Sequence, residues 1–193
     1  MKWIYSIIVV VIMITICILF FIKNDNNCKY SKELNKLINT KLKYDKLENI
    51  YYDKSGDKIG SLEEISIDID KKTLQYRHTK AHDIPVEVEI YKINNNDIKE
   101  LEKMIKEYNL PAWSELKMSD IMIYDAATET ITFNYNNAKI GGQKTEWYSI
   151  NFNMEIPADG YSLIIEFRDK LYSFIVEKNL IKSYVEEKDR LNE

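Results

Sequence analysis

The chain has 193 residues, with 27 Lys and Arg against 31 Asp and Glu and a formal charge of −4. Hydrophobic residues make up 45% and aromatics 12%, enough to bury a core and too much for a disordered chain. Net acidity with three arginines (Arg77, Arg168, Arg190) excludes the basic stripe a nucleic-acid binder needs, and two early cysteines, Cys17 and Cys28, exclude a disulfide framework or a Cys-rich zinc module downstream.

Residues 3–22, WIYSIIVVVIMITICILFFI, are a run of 20 without a charge. As a helix the run measures about 30 Å, the thickness of a bilayer core. It predicts a retained single-pass signal-anchor, with membrane lipid as the partner of this transmembrane helix. A cleaved signal peptide has a shorter apolar region and small residues before the cut; here the boundary reads Phe20-Phe21-Ile22-Lys23. Neither cysteine follows the apolar and small residues of a lipoprotein site. Two signals conflict over orientation. Lys23, Lys29, Lys32, Lys36 and Lys41 follow the run and by lysine bias would hold the remainder in the cytoplasm. The export-like start and the thiol-free remainder point outward, and an extracytoplasmic domain is the expectation.

Residues 31–48, SKELNKLINTKLKYDKLE, carry an imperfect helical stripe of Leu34, Leu37, Ile38, Leu42 and Leu47 among lysines. This reads as a stalk or a helix docked on the domain, with a lipid-facing amphipathic helix as the alternative. Period two then takes over. Ile65, Ile67 and Ile69 alternate with Ser66 and Asp68; Leu74 and Tyr76 alternate with Thr73, Gln75 and Arg77; Val86, Val88 and Ile90 alternate with Glu87, Glu89 and Tyr91. These are three half-buried strands, the first two a hairpin. Ile98, Leu101, Ile105 and Tyr108 are helically spaced, with capping side chains from Asn94 to Asp97 and Asn109 as a left-handed stop before Pro111.

The same grammar recurs. Ile121 and Ile123 begin a strand, Ile131, Phe133 and Tyr135 a second, and Ile150, Phe152 and Met154 a third after the Gly141-Gly142 loop. Pro157 and Asp159 open a helix containing Tyr161, Ile164, Ile165, Phe167, Leu171, Phe174 and Ile175. The expected fold class is α+β: an N-terminal transmembrane helix, then a mostly antiparallel sheet of about six strands with two helices on one face, in repeated strand-strand-strand-helix order. Residues 50–62 add a hairpin or edge strand. The organisation is an anchor at 3–22, a polar, amphipathic stalk at 23–49, a domain at 50–182 and a charged tail at 183–193.

Certain phrases resemble small anchored or lipoprotein-like domains of Gram-positive bacteria: Tyr52-Asp53-Lys54-Ser55-Gly56, Tyr108-Asn109-Leu110-Pro111-Ala112-Trp113-Ser114, Tyr124-Asp125-Ala126 with Thr130-Ile131-Thr132-Phe133, and Glu155-Ile156-Pro157-Ala158-Asp159-Gly160. The likeness covers residues 50–180. It implies the fold and no activity, and carries no functional residue with it.

Catalytic chemistry finds no motif. There is no Gly-x-Ser-x-Gly elbow, no cysteine in the domain and no Gly-rich phosphate loop. His78 and His82 lie four apart in a stretch between strands, where that spacing fixes no metal geometry. Residues 53–64 place oxygens like a calcium loop, but Lys58 stands where the sharp turn demands glycine. The chain is therefore expected not to be an enzyme and to need no metal or cofactor, with a metal-dependent or hydrolytic domain using Asp53, Asp57, Glu64 or the histidines as the alternative. What remains is a surface. Tyr91, Met122, Tyr124 and Trp147, beside Asn151 and Asn153, are expected on the face opposite the helices, where aromatics and amides make a binding patch. Trp113 is expected as a core plug. The function expected is a membrane-tethered extracytoplasmic interaction module for a protein or cell-wall partner, with a cytoplasmic-facing membrane-bound regulator as the alternative.

Overall fold

A computed structural model of the chain describes residues 30–42, 46–56, 60–119, 127–137 and 144–186. These residues form a seven-stranded sheet in the order β6-β5-β1-β2-β3-β4-β7. The strands are β1 (Lys46–Ser55), β2 (Leu62–Asp68), β3 (Thr73–Thr79), β4 (Glu87–Lys92), β5 (Thr128–Asn137), β6 (Lys144–Asn151) and β7 (Asn179–Val185). Every neighbouring pair is antiparallel. The helices are α1 (Lys32–Ile38), α2 (Asn95–Tyr108) and α3 (Ala158–Glu177), with a 3-10 turn at Leu110–Glu115 after α2.

Local chemistry explains the helix ends. Asn94 and Asp97 form a reciprocal capping box at the start of α2, and Asn109 ends it in the left-handed region at φ 49°. The Asn109 side chain then donates to the carbonyls of Leu37 and Thr40 at 2.9 and 2.8 Å, fastening the end of α1 to the end of α2. Trp113 is fully buried, donating its indole N–H to the Tyr108 carbonyl at 3.0 Å.

The core lies on one face of the sheet. Ile50, Ile67, Leu74, Ile131 and Phe133 meet Leu101, Ile105, Phe167 and Phe174 from the helices. Phe133 and Phe167 make an edge-to-face contact at 5.7 Å, and each such buried side chain contributes about 1.5–3 kcal/mol. The long helix α3 joins the two edges. Its 20 residues rise about 30 Å, close to the width of a seven-stranded sheet at about 4.8 Å per gap. The chain therefore leaves at β6, crosses over β5, β1 and β3 through Phe167 and Tyr172, and returns as β7 beside β4.

Several expectations are corrected. No helix among the described residues is long and apolar enough to cross a membrane, so the transmembrane, single-pass and signal-anchor reading is set aside; residues 3–22 lie outside the described residues. The sheet has seven strands rather than about six. The segment expected as an outlying hairpin or edge strand is β1, third in the sheet and paired with both β2 and β5. Of the three strands expected in the second half, the described residues show β5 and β6 ahead of α3, and the last strand ends earlier than expected: Phe152 lies in a turn, and Met154 makes an isolated bridge to Met118. The strand expected at Ile121 and Ile123 lies outside the described residues. Residues expected as tail supply the end of β7, whose seven residues are all exposed.

The parity of β4 is also reversed. Leu74 pairs with Tyr91, which places Tyr91 on the core face, 6% exposed, and Val88 on the open face. Apolar residues occupy both registers of this strand, so alternation alone does not choose. Tyr91 and Ile93, two apart and both in the core, decide it. Val88 is buried on the other side, between Arg77 and Tyr184 on its neighbouring strands.

Candidate functional site: the open sheet face

The face away from the helices is built by register. Trp147, Asn134 and Asn49 form one cross-strand row on β6, β5 and β1; Ser149, Thr132 and Tyr51 form the next; Asn151, Thr130 and Asp53 follow. Tyr51 and Trp147 are separated by the whole width of β5, about 10 Å backbone to backbone. Their ring centroids are nevertheless 6.0 Å apart, at an interplanar angle of 25°. The two rings thus lean together over β5 as a bridge. Trp147 remains 59% exposed.

Polar groups surround this bridge. Asn134, directly opposite Trp147, is only 6% exposed, and its Oδ1 is buried with no hydrogen-bond donor among the described residues; Asn136 Oδ1 is in the same condition while its amide donates to Glu48 at 2.8 Å. A buried acceptor without a donor costs about 1–3 kcal/mol, and such groups are rare enough to need a reason. Thr132 and Ser149 share a hydrogen bond at 2.9 Å in which either hydroxyl can donate. On β6, β5 and β1 the first two rows, Trp147–Asn134–Asn49 and Ser149–Thr132–Tyr51, hold no charged side chain; on β2 the first row continues into Asp68, which is paired with Lys71 at 2.7 Å.

The residues expected at this patch have different fates. Trp147 is its exposed centre. Asn151 lies at its margin, donating to Thr130 Oγ1 at 3.4 Å, and Asn153 sits in the turn after β6, its backbone N–H bonded to Asn151 Oδ1 at 2.8 Å. Tyr91 is excluded: it is in the core and its hydroxyl donates to Glu89 at 2.6 Å. Tyr124 and Met122 lie outside the described residues. Tyr51 was the missed member. Its signal was parity, since Tyr52 beside it is buried and adjacent strand residues face opposite ways.

A second cluster occupies one end of the core face. Register lines up Glu129, Lys54, Glu63, His78 and Glu87 across five strands. Tyr52, Arg168 and Tyr172 cover part of this row, beside a cleft of about 330 Å³. The groups satisfy one another: Tyr52 donates to Glu129 at 3.2 Å, Arg168 approaches the same carboxylate at 3.4 Å, and Tyr172 donates to Glu63. Burial pushes the Tyr52 and Tyr172 phenols well above their ordinary range, and Tyr76 up to about 12. A neutral phenol held this way is a hydrogen-bond donor and no nucleophile.

The histidines do not converge. His78 stacks on Tyr76 at 4.6 Å and lies 3.8 Å from Glu87, whereas His82 packs against Gly60, where φ is 70° and an added Cβ would meet the imidazole at 2.2 Å. Among the described residues no group of three or more His, Cys, Asp or Glu can hold a metal ion. Asp53 and Glu64 of the calcium-like stretch are strand residues paired across β1 and β2, and Asp57 lies outside the described residues. No protein-family model matches the chain, and no curated protein matches it.

Proposed function

We propose that the chain is a binding module that engages a protein or cell-wall partner through its open sheet face. The observation that carries this reading is the exposed Trp147, held against Tyr51 over β5 on a face that no helix among the described residues covers. A large apolar ring fixed by a second ring loses little side-chain entropy on contact, which is why such aromatics anchor interfaces. The thiol-free sequence after Cys28 supports an extracytoplasmic setting.

A photo-reactive side chain placed at position 147, in cells that make the protein, tests the reading. Adducts should form from position 147 and not from the exposed helix position Glu102. Equal labelling from both positions, or none from 147, removes the proposal.

A further inference from the structure

The geometry points to a neutral glycan chain as the ligand of the open face, an inference that rests on the binding reading above and names its chemistry. Three independent features of the patch select that class.

The first is charge. On β6, β5 and β1 the two rows around the aromatic bridge carry none, and the nearest charges among the described residues are Asp68, which pairs with Asn49 on β2 and is engaged with Lys71 at 2.7 Å, Asp53 in the following row, and Glu48 and Lys46 at the bulge in β1. Lys46 is engaged with Asp70 at 2.6 Å, and Glu48 accepts from Asn136. In a chain that is 30% charged, a neutral centre offers nothing to a phosphate, an acidic polymer or a charged peptide. It suits a ligand that would bring no charge to be desolvated.

The second is shape. The Trp147 and Tyr51 rings form an apolar bridge across β5. A pyranose ring presents a flat face of polarised C–H groups, which stacks on an aromatic face as any weakly positive edge does. The third is hydrogen bonding. Around the rings stand hydroxyls and amides, groups that both donate and accept, matching sugar hydroxyls that also do both. The buried Asn134 Oδ1 has no donor among the described residues beside this bridge, and a hydroxyl admitted by a shift of the Trp147 ring would supply one. Extended β-linked chains, which present successive ring faces along a ribbon, suit a pair of rings laid side by side across a strand.

The test uses the full chain with insoluble chitin and cellulose, and with their soluble hexasaccharides read by tryptophan fluorescence. The native protein should be retained by at least one of the two polysaccharides, and about 0.5 M salt should leave retention unchanged, because no ion pair is screened. Trp147→Ala should weaken binding about tenfold or more, Trp147→Phe should restore part of it, and Tyr51→Ala should weaken it less. Unchanged thermal melts certify that the variants fold. Retention by neither polysaccharide, retention equal in Trp147→Ala, or loss in salt overturns the glycan assignment. The photo-crosslinking experiment separates the two readings. A protein trapped from position 147 without glycan binding removes the glycan and leaves the open-face module standing, while failure of both removes both.

Discussion

The Asp159 carboxylate, in the first turn of α3, accepts both the backbone N–H and the hydroxyl of Ser31, the N-cap of α1 that lies 128 residues earlier. The Ser31 Oγ in turn accepts from the Leu34 N–H at 3.1 Å. One carboxylate therefore holds the start of α1 against the start of α3. The Ser31 backbone N–H, foremost among the causes, holds the Asp159 carboxyl below its ordinary value. A depressed folded value contributes stability above the unfolded carboxylate pKa of about 4 and loses it as pH falls through the folded value. Amide exchange in residues 30–39 should accelerate below about pH 4, while Asp159→Asn should give the faster exchange already at neutral pH. Identical protection at pH 6 and pH 3 would show that Leu34 burial alone docks this helix.

The tyrosines make the opposite prediction at high pH. Burial raises Tyr52, Tyr76 and Tyr172 above the ordinary phenol value, and the Glu63 and Glu129 carboxylates add to it. Raised folded values mean stability that is complete below about pH 10 and declines as pH climbs toward the folded values, because the unfolded chain sheds its protons first. Phenolate absorbance from these residues should therefore appear together with loss of far-ultraviolet circular dichroism. Smooth titration of every tyrosine near pH 10, with the sheet intact, contradicts the buried cluster.

Trp113 and Trp147 differ in burial and should differ in energy. Trp113 packs closely against α3, where a Cβ added at Gly160 would meet the indole at 3.0 Å, tighter than an ordinary contact. Trp113→Ala should cost about 3–5 kcal/mol, the range for a buried aromatic. Trp147→Ala removes an exposed ring and one stacking contact, and should cost about 1 kcal/mol or less. Urea denaturation midpoints measured side by side check the contrast. Comparable losses would mean that Trp147 belongs to the fold rather than to a contact surface.

Sequence periodicity is informative where one face of an element is apolar and the other polar. Ile65 and Ile67 against Ser66 and Asp68 in β2 are unambiguous, as are Ile131 and Phe133 against Thr132 and Asn134 in β5. It is silent where both registers are apolar, as in β4, and where burial is absent, as in β7. β7 is held by main-chain pairing to β4 and not by a buried stripe. The centrality of β1 was hidden by the bulge between Leu47 and Asn49, which breaks the alternation, and by Tyr51 and Tyr52, which look alike in sequence and face opposite ways. At the candidate site, Trp147 and its amide neighbours were legible by parity. The Tyr51 partnership was not, because it depends on β5 pairing with β1 across a long sequence separation, which local pattern cannot encode.

Arg77 governs how firmly β7 is held. From β3 its guanidinium reaches over β4, past Val88, to Glu186 at the end of β7 at 2.9 Å, and on the other side it meets Glu64 of β2. It thereby links four strands, lies over a buried valine and clamps an edge strand that has no buried residue of its own. Glu186 is held below the ordinary carboxylate range chiefly by its hydrogen bond to Arg77. Arg77→Ala should speed amide exchange across Asn179–Val185 while leaving β1 and β2 protected, since those strands keep neighbours on both sides. Arg77→Lys should rescue little, because a single ammonium cannot reproduce the fork that meets Glu186 with two nitrogens. The loss should also be local in energy: partly exposed ion pairs contribute about 1 kcal/mol or less, so the global urea midpoint should move slightly while the exchange pattern of one strand changes. Uniform acceleration across all strands would instead make Arg77 part of the cooperative core.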